Sequence, residues 1–557
     1  MGEKIVIVGG VAGGATAAAR ARRLSEKAEI TLVEKGPYVS FANCGLPYYI
    51  SGAIAKRSKL LLQTPEGFDA RYGVKVLVET EALEIDRPGK RLRVKGPEGE
   101  SWLPYDRLIL AQGGNPIMPP LPGSDSPNVF KLWTVPDVDR IKAYLDSAKP
   151  SSALIAGGGF IGLEMAEAFT ERGIPTTVVE LLPRIMSTMD PEFGAMVAAK
   201  LGEKGVRVIT GLGLKAVHAA QGKAELSDGS LVDAGIVLLS IGVRPELTLA
   251  KAAGLTIGAS GGLEVDAELR TSDPAIYAAG DMVEIVHKVS GRKVRIPLAG
   301  PANRQGRIAA SNALGQHLEY HGALGTSVFK AFDSVAASTG LSEKAAREAG
   351  FEVGAAMIVK DNHAGYYPGG QEMTLKLVYD RKDGRLFGAQ AFGGEGTEKR
   401  IDVLATALHG KMGLDDLAEL DLAYAPPFSS ANDPVNLAAF IGQNDLSGYS
   451  PLETAAGLKA AIAEARAAGS EAFVLDVRNV GEYEAGHLKG ATNIPVDELR
   501  FRLDELPRGK KVHIHCRSGF RAHLALRILK DNGFEDVVNV TGGYLAMTAE
   551  GGFDIEG

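Results

Sequence analysis

Through about residue 320, short apolar runs alternate with longer amphipathic or Ala-rich stretches. The runs fall at residues 5–8 (IVIV), 30–33 (ITLV), 108–111 (LILA), 153–156 (ALIA), 177–179 (TVV) and 236–240 (IVLLS). Short, fully apolar strands separated by helical segments are the mark of βαβ units, whose parallel sheet is covered on both faces. From about residue 326 the pattern changes. Residues 327–340 and 373–393 read as antiparallel strands, and 397–410 predicts a helix. The polar, Gly- and Ser-bearing stretch 441–451 predicts a linker. Beyond it, 452–557 has its own alternation of strand and helix. One coarse repeat is visible: a Gly-rich strand-to-helix turn near residue 9 recurs near residue 157.

Charge adds an exclusion. Lys plus Arg is 61 and Asp plus Glu is 68, a formal net charge of −7, which leaves no broad basic footprint for nucleic acid. The first apolar run is closed by Gly9-Gly10 and is too short for a signal core or a membrane span. The expectation is a cytoplasmic protein with reduced thiols and no membrane association. The 557 residues hold two cysteines, Cys44 and Cys516. They supply no disulfide framework, no four-sulfur metal site and no C-x-x-C dithiol, and no metal site is predicted.

The first Gly-rich turn reads IVIVGGVAGGATAAARARRL, and an acid, Glu34, ends the next strand. Strand, turn, Ala-rich helix and acidic strand end suit a dinucleotide, with pyrophosphate on the helix N-terminus and ribose on the carboxylate. Val11 stands where the middle glycine of the usual pattern would be. The second turn is complete, with Gly157, Gly159 and Gly162, and its acid is Glu180. An acid there accepts the ribose 2′-OH of NAD and repels the 2′-phosphate of NADP, so NADH is expected over NADPH, with Arg184 nearby to soften the preference.

LILAQGGNP (108–116) and TSDPAIYAAGDM (271–282) resemble two strings of the pyridine nucleotide–disulfide oxidoreductases. The resemblance spans about residues 1–445 and implies FAD, NAD(P)H and a homodimer. It divides the chain into an FAD domain (1–112 and 245–325), an NAD domain (113–244) and a dimerisation domain (326–445). It implies FAD contacts from Gly9, Gly10, Ala12, Gly13, Gly14, Glu34, Lys35, Ala82, Ala111, Gly280, Asp281 and Ala299. NAD contacts fall to Gly157, Gly159, Phe160, Ile161, Gly162, Glu180 and Gly242.

Cys44 lies in SFANCGLPYY, which resembles the active-site segment of the family's single-cysteine branch: coenzyme A-disulfide reductases, NADH oxidases and NADH peroxidases. A lone thiolate can attack an S–S bond or cycle through a sulfenic acid. The peroxidase and oxidase branch carries a His in the first Gly-rich turn, and none stands there. HAGYYPGG (363–370) and LAYAPPFSSANDP (422–434) resemble the coenzyme A-disulfide reductase pattern. They imply Tyr366 and Tyr424 near the partner subunit's active site, with Tyr367 the adjacent alternative to Tyr366. Coenzyme A needs cations for its phosphates. Arg20, Arg23, Ser40, Asn43, Arg71, Lys75, Asn303 and Arg307 are the candidate contacts.

Residues 452–557 resemble a rhodanese domain. Cys516 follows the strand VHIH and precedes a helix predicted to begin near Arg521. The loop Cys516-Arg517-Ser518-Gly519-Phe520-Arg521 can turn its N–H groups toward sulfur, and its arginines favour a thiolate able to carry an extra sulfur. The C-x4-R spacing is one shorter than a protein phosphatase loop. His487 in AGHLKGA is read as structural.

The fold class expected is therefore α/β: two Rossmann-like dinucleotide-binding domains, an α+β dimerisation domain and a C-terminal α/β rhodanese domain. The expected function is a flavoprotein reductase of coenzyme A persulfide, polysulfide or coenzyme A disulfide. The alternatives are an NADH oxidase or peroxidase with a sulfur-transfer domain, and a non-catalytic redox-sensing sulfur relay.

Overall fold

The computed structural model describes residues 2–557, which fall into two compact units. The first contains the residues up to Pro183 together with Gly205–Gly325, and the second contains Arg184–Lys204 with Thr326–Gly557.

The apolar runs of the first unit become two parallel sheets. In the first, β1 (Lys4–Val8), followed by α1 (Ala12–Leu24), lies beside β2 (Glu29–Val33). The strand order is Ile276–Ala278, Arg107–Leu110, β1, β2, Lys75–Leu77. Helix α2 (Leu46–Ser51) follows on the chain from Cys44. The second sheet repeats the design with β3 (Ala153–Ala156), α3 (Phe160–Glu171) and β4 (Thr176–Glu180). Its order is Arg207–Thr210, β4, β3, Ile236–Leu239, Val129–Phe130. Ile5, Ile7, Leu32, Leu108 and Ile109 are fully buried, as strands covered on both faces require. A further helix, α4 (Ala299–Ala313), crosses α1 through small residues. A Cβ added to Gly306 would lie 2.2 Å from the Gly13 carbonyl oxygen, so this crossing is set by the absence of side chains.

In the second unit, β5 (Val353–Asp361) and β6 (Glu372–Asp380) belong to a five-stranded antiparallel sheet. Its order is Ser327–Ala331, Ser334–Gly340, Leu386–Gly393, β6, β5. Lys376 of β6 is buried against Asp190 (3.0 Å), Glu192 (2.5 Å) and Glu343 (2.9 Å). Burial alone would lower its pKa, but the three carboxylates hold it well above the usual lysine value. Helix Pro191–Glu203 is fastened to the sheet through this cluster.

The stretch predicted as a linker is half helix. Helix α5 (Pro434–Leu446), started by an Asp433/Asn436 capping box, runs through its first six residues. Asp445 is buried and accepts hydrogen bonds from the Tyr379 hydroxyl (2.6 Å) and the Leu452 N–H (2.8 Å). A polar composition read as solvated is here consumed by internal partners.

Beyond it lies a parallel sheet containing β7 (Val512–His515), with strand order Leu452–Glu453, Val537–Val540, β7, Phe473–Asp476, Thr492–Asn493. Helix α6 (Phe520–Asp531) packs beside it, and α7 (Gly543–Glu550) packs on helices Pro191–Glu203 and Ala455–Ala467. Among the described residues, no helix is long and apolar enough to cross a membrane.

Candidate active sites

The two Gly-rich turns share one geometry. Gly9 (φ +100°) and Gly157 (φ +114°) adopt left-handed backbone that favours glycine. A Cβ at either would lie 2.2 or 2.1 Å from a backbone carbonyl oxygen, that of Ala111 or Ser240. Glu34 accepts from the N–H groups of Gly10 and Gly36, both at 2.7 Å. Glu180 accepts from Gly158 and Leu182, both at 2.8 Å. Burial pushes the Glu34 carboxyl up against the effect of its two N–H donors. Each turn thus aims an acid and a helix N-terminus at the same end of its sheet.

The residues suit dinucleotides. A Cβ at Gly159 would meet nothing within 4 Å, so open space lies beside that backbone, and one at Gly280 (φ +87°) would meet only the Ala302 Cβ, at 3.8 Å. Asp281 follows Gly280, and burial pushes its carboxyl up to about 6. Ala12, Gly13 and Gly14 open α1, Phe160, Ile161 and Gly162 open α3, and Ala299 opens α4. Gly242 follows strand Ile236–Leu239, Ala82 lies on strand Glu81–Asp86, and exposed Lys35 pairs with Glu81 at 2.7 Å.

Cys44 sits in a 3₁₀ turn, Asn43–Gly45, directly before α2. The residue is exposed, so solvent reaches it from one side. The protein packed on its other sides pushes the thiol pKa up, and the carboxylates Glu164 and Asp281 add to the effect. Tyr48 of α2 donates to Glu164 of α3 at 3.3 Å. Burial raises Glu164 to about 7.

The cationic candidates cluster on the α1–α4 crossing. Arg20 bonds Ser311 at 3.0 Å, and Thr16 bonds Asn303 at 3.0 Å. Burial, then Arg307 and Arg23, lower the Arg20 pKa, which places three guanidinium groups within mutual repulsion. Arg22 bonds the carbonyls of Tyr72 (2.6 Å) and Gly73 (2.9 Å), tying the bend that carries exposed Arg71 and Lys75 to α1. The Asn43 amide is used on the Trp133 carbonyl at 2.5 Å, and Ser40, at φ +45°, donates its N–H to Gly10.

Tyr366 and Tyr424 lie in the second unit, Cys44 in the first. Their hydroxyls meet at 3.0 Å although both rings are exposed, which raises the Tyr366 pKa. Tyr367 instead sets its ring edge-on to His363.

Cys516 is buried, and its sulfur accepts the Gly519 N–H at 3.1 Å. Gly519 (φ +117°) bends the loop, and α6 begins at Phe520, one residue before the predicted start. Both arginines hold a carboxylate, and Arg521 also interacts with the Cys516 sulfur. Arg517 is gripped by Glu372 of β6 (2.7 and 3.1 Å), and Arg521 by Glu482 (2.5 and 2.8 Å). His487 stacks on Tyr483 with centroids 3.7 Å apart, in keeping with a structural part.

The profile of the family described as Pyridine nucleotide-disulphide oxidoreductase matches residues 3–306, more than half the chain. The chain belongs to that family. The family's dimerisation domain matches residues 326–434, and a Rhodanese-like domain matches 454–550. The chain is similar to the crystal structure of reduced Bacillus anthracis CoADR-RHD: 41% identical, TM-score 0.94, covering 99% of this chain and 98% of that one. It is similar to an NAD-dependent persulfide reductase from A. fulgidus: 38% identical, TM-score 0.89, covering 97% and 99%. An NAD(P)H coenzyme A polysulfide/persulfide reductase of Pyrococcus horikoshii is 35% identical over 440 residues, 79% of this chain and 98% of that protein. The family's fold is thus present, with two Rossmann-like domains and an α+β dimerisation domain, and a rhodanese domain follows it. Reasoning from sequence missed Glu164, Tyr48 and Glu372. Glu164 is the last residue of the string GGGFIGLE, in register with the motif and open to notice. Tyr48 stands in the quoted string SFANCGLPYY and was equally open to notice, whereas Glu372 had no local signal.

Proposed function

We propose that this family member is a homodimeric NAD(P)H-dependent flavoprotein that reduces S–S bonds of coenzyme A persulfide, polysulfide or coenzyme A disulfide, with Cys516 as sulfane-sulfur carrier. The observation that carries the reading is one exposed cysteine, Cys44, in a unit with two acid-tipped dinucleotide turns, on a chain whose other cysteine sits in a rhodanese loop. We assign FAD to residues 1–112 and 245–325, NAD to 113–244, dimerisation to 326–445 and sulfur carriage to 452–557.

In this reading Gly9, Gly13, Gly14 and Glu34 hold the FAD pyrophosphate and ribose, and Gly157, Gly159, Gly162 and Glu180 hold those of NADH. Arg20, Arg23, Arg71, Lys75 and Arg307 take the phosphates of coenzyme A. The Cys44 thiolate attacks the inner sulfur of the persulfide, forms a mixed disulfide and releases hydrosulfide. FAD and NADH, when bound, would supply the two electrons that reduce this disulfide, returning Cys44 to a thiolate and coenzyme A to a free thiol. Tyr424, hydrogen-bonded to Tyr366, donates its O–H to the departing sulfur of the partner subunit's site. That hydrogen bond supports Tyr366 over Tyr367. Reduced thiols of this kind suit a cytoplasmic setting.

The test is anaerobic NADH oxidation with coenzyme A persulfide, coenzyme A disulfide and polysulfide side by side, with sulfide measured and NADPH run in parallel. Persulfide turnover with NADH should lead. Oxygen turnover far above every S–S substrate would instead support an NADH oxidase.

A further inference from the structure

The arginines of the Cys516 loop are the natural anchors for an anionic sulfur donor, yet both are already occupied. Glu482 comes from the rhodanese domain itself and is held down to about 2 by Arg521. Glu372 comes from β6 of the dimerisation sheet, 145 positions away in sequence, and takes Arg517 through both its oxygens. The contact is not isolated. The Met357 N–H of neighbouring β5 donates to the Thr541 hydroxyl at 2.9 Å, and a Cβ at Gly542 would lie 2.4 Å from the Met357 sulfur. Tyr544 and Leu545 of α7 in turn donate their N–H groups to the carbonyls of Cys516 (2.8 Å) and Arg517 (3.1 Å). Two adjacent strands of the dimerisation sheet therefore grip the Cys516 loop, one by its arginine and one through its supporting helix.

We infer that Glu372 is a specificity-determining residue of the sulfur-transfer site: by occupying Arg517 it withholds that guanidinium from small dianionic donors and disfavours them relative to persulfides. The inference rests on the reading of Cys516 as sulfur carrier. Thiosulfate is a small dianion of this class. The Cys516 thiolate would form an S–S bond to its outer sulfur, break the bond to the sulfonate sulfur and release sulfite. Cyanide then takes the outer sulfur as thiocyanate and regenerates the thiolate, with no external oxidant or reductant. A persulfide donor hands over the same sulfur and leaves as a thiolate without needing the guanidinium. The Arg517 and Glu372 side chains are 46% and 48% accessible, so a donor reaches Arg517 once Glu372 releases it.

The experiment compares thiosulfate with hydroxyethyl persulfide as donors to cyanide on the full chain. In Glu372→Gln the thiosulfate-to-persulfide ratio of kcat/KM should rise by about fivefold, as expected for freeing a half-exposed bidentate guanidinium. Adding Arg517→Ala should erase the gain. A ratio within twofold of wild type in a Glu372→Gln protein of unchanged melting temperature overturns the inference, as does a gain that survives Arg517→Ala. Neither donor assay needs NADH or Cys44, so its failure leaves the reductase reading standing. Transfer that persists in Cys516→Ser would mark failure of the carrier reading instead.

Discussion

Cys44 is exposed, yet its surroundings oppose ionisation, and Glu164 is one cause. Replacing Glu164 by Gln removes a negative charge beside the thiol. The midpoint of Cys44 alkylation by iodoacetamide should therefore move to lower pH, and an unmoved midpoint would contradict the contact. The same variant reports on stability. The folded pKa of Glu164, about 7, lies above the ordinary carboxyl value of 4.5. Its contribution is fully present below the unfolded value and is lost as pH rises through 7, by about 3 kcal/mol. Wild type should lose stability between pH 5 and pH 8 relative to Glu164→Gln, read by denaturant unfolding; parallel profiles would argue against a raised pKa. At this scale the sequence reveals residues that sit in contiguous strings, such as Cys44, Cys516, Glu34 and Glu180. It hides those whose role comes from packing. Glu372 meets Arg517 across 145 positions, and Tyr48, though inside the Cys44 string, shows its part only where it meets Glu164 across 116.

At the scale of elements, the apolar runs were legible because a buried parallel strand leaves no polar position to confuse the period. The linker at 441–451 was misread for the opposite reason. Asn444 and Asp445 look solvated in composition, but Asp445 caps internal donors and the helix continues past it. The α1–α4 crossing had no sequence signal beyond small residues, and it carries the cationic cluster. Gly306→Ala should push the helices apart, costing about 1–3 kcal/mol as overpacking does. The expected readings are a lower melting temperature and weaker FAD retention on dialysis. An unchanged melting temperature would show that the crossing has slack.

On the scale of the whole molecule, the second unit joins three stretches of chain: helix Pro191–Glu203, the dimerisation sheet and the rhodanese domain. The Lys376 cluster fastens the first to the second. Lys376→Met leaves buried Asp190 and Glu192 without their cation, while Glu343 keeps Arg347, and should destabilise the protein by about 3–5 kcal/mol. Chemical denaturation with a probe in this unit checks it, and a loss under 1 kcal/mol would mean that the carboxylates protonate at little cost. The division of labour between the two cysteines is the account's central claim. It is tested most directly by sulfide release under anaerobic NADH turnover in Cys44→Ser and Cys516→Ser. Cys44→Ser should abolish release from both coenzyme A persulfide and polysulfide. Cys516→Ser should spare coenzyme A persulfide and impair polysulfide. Retained turnover in Cys44→Ser, or equal loss of both substrates in Cys516→Ser, would contradict it.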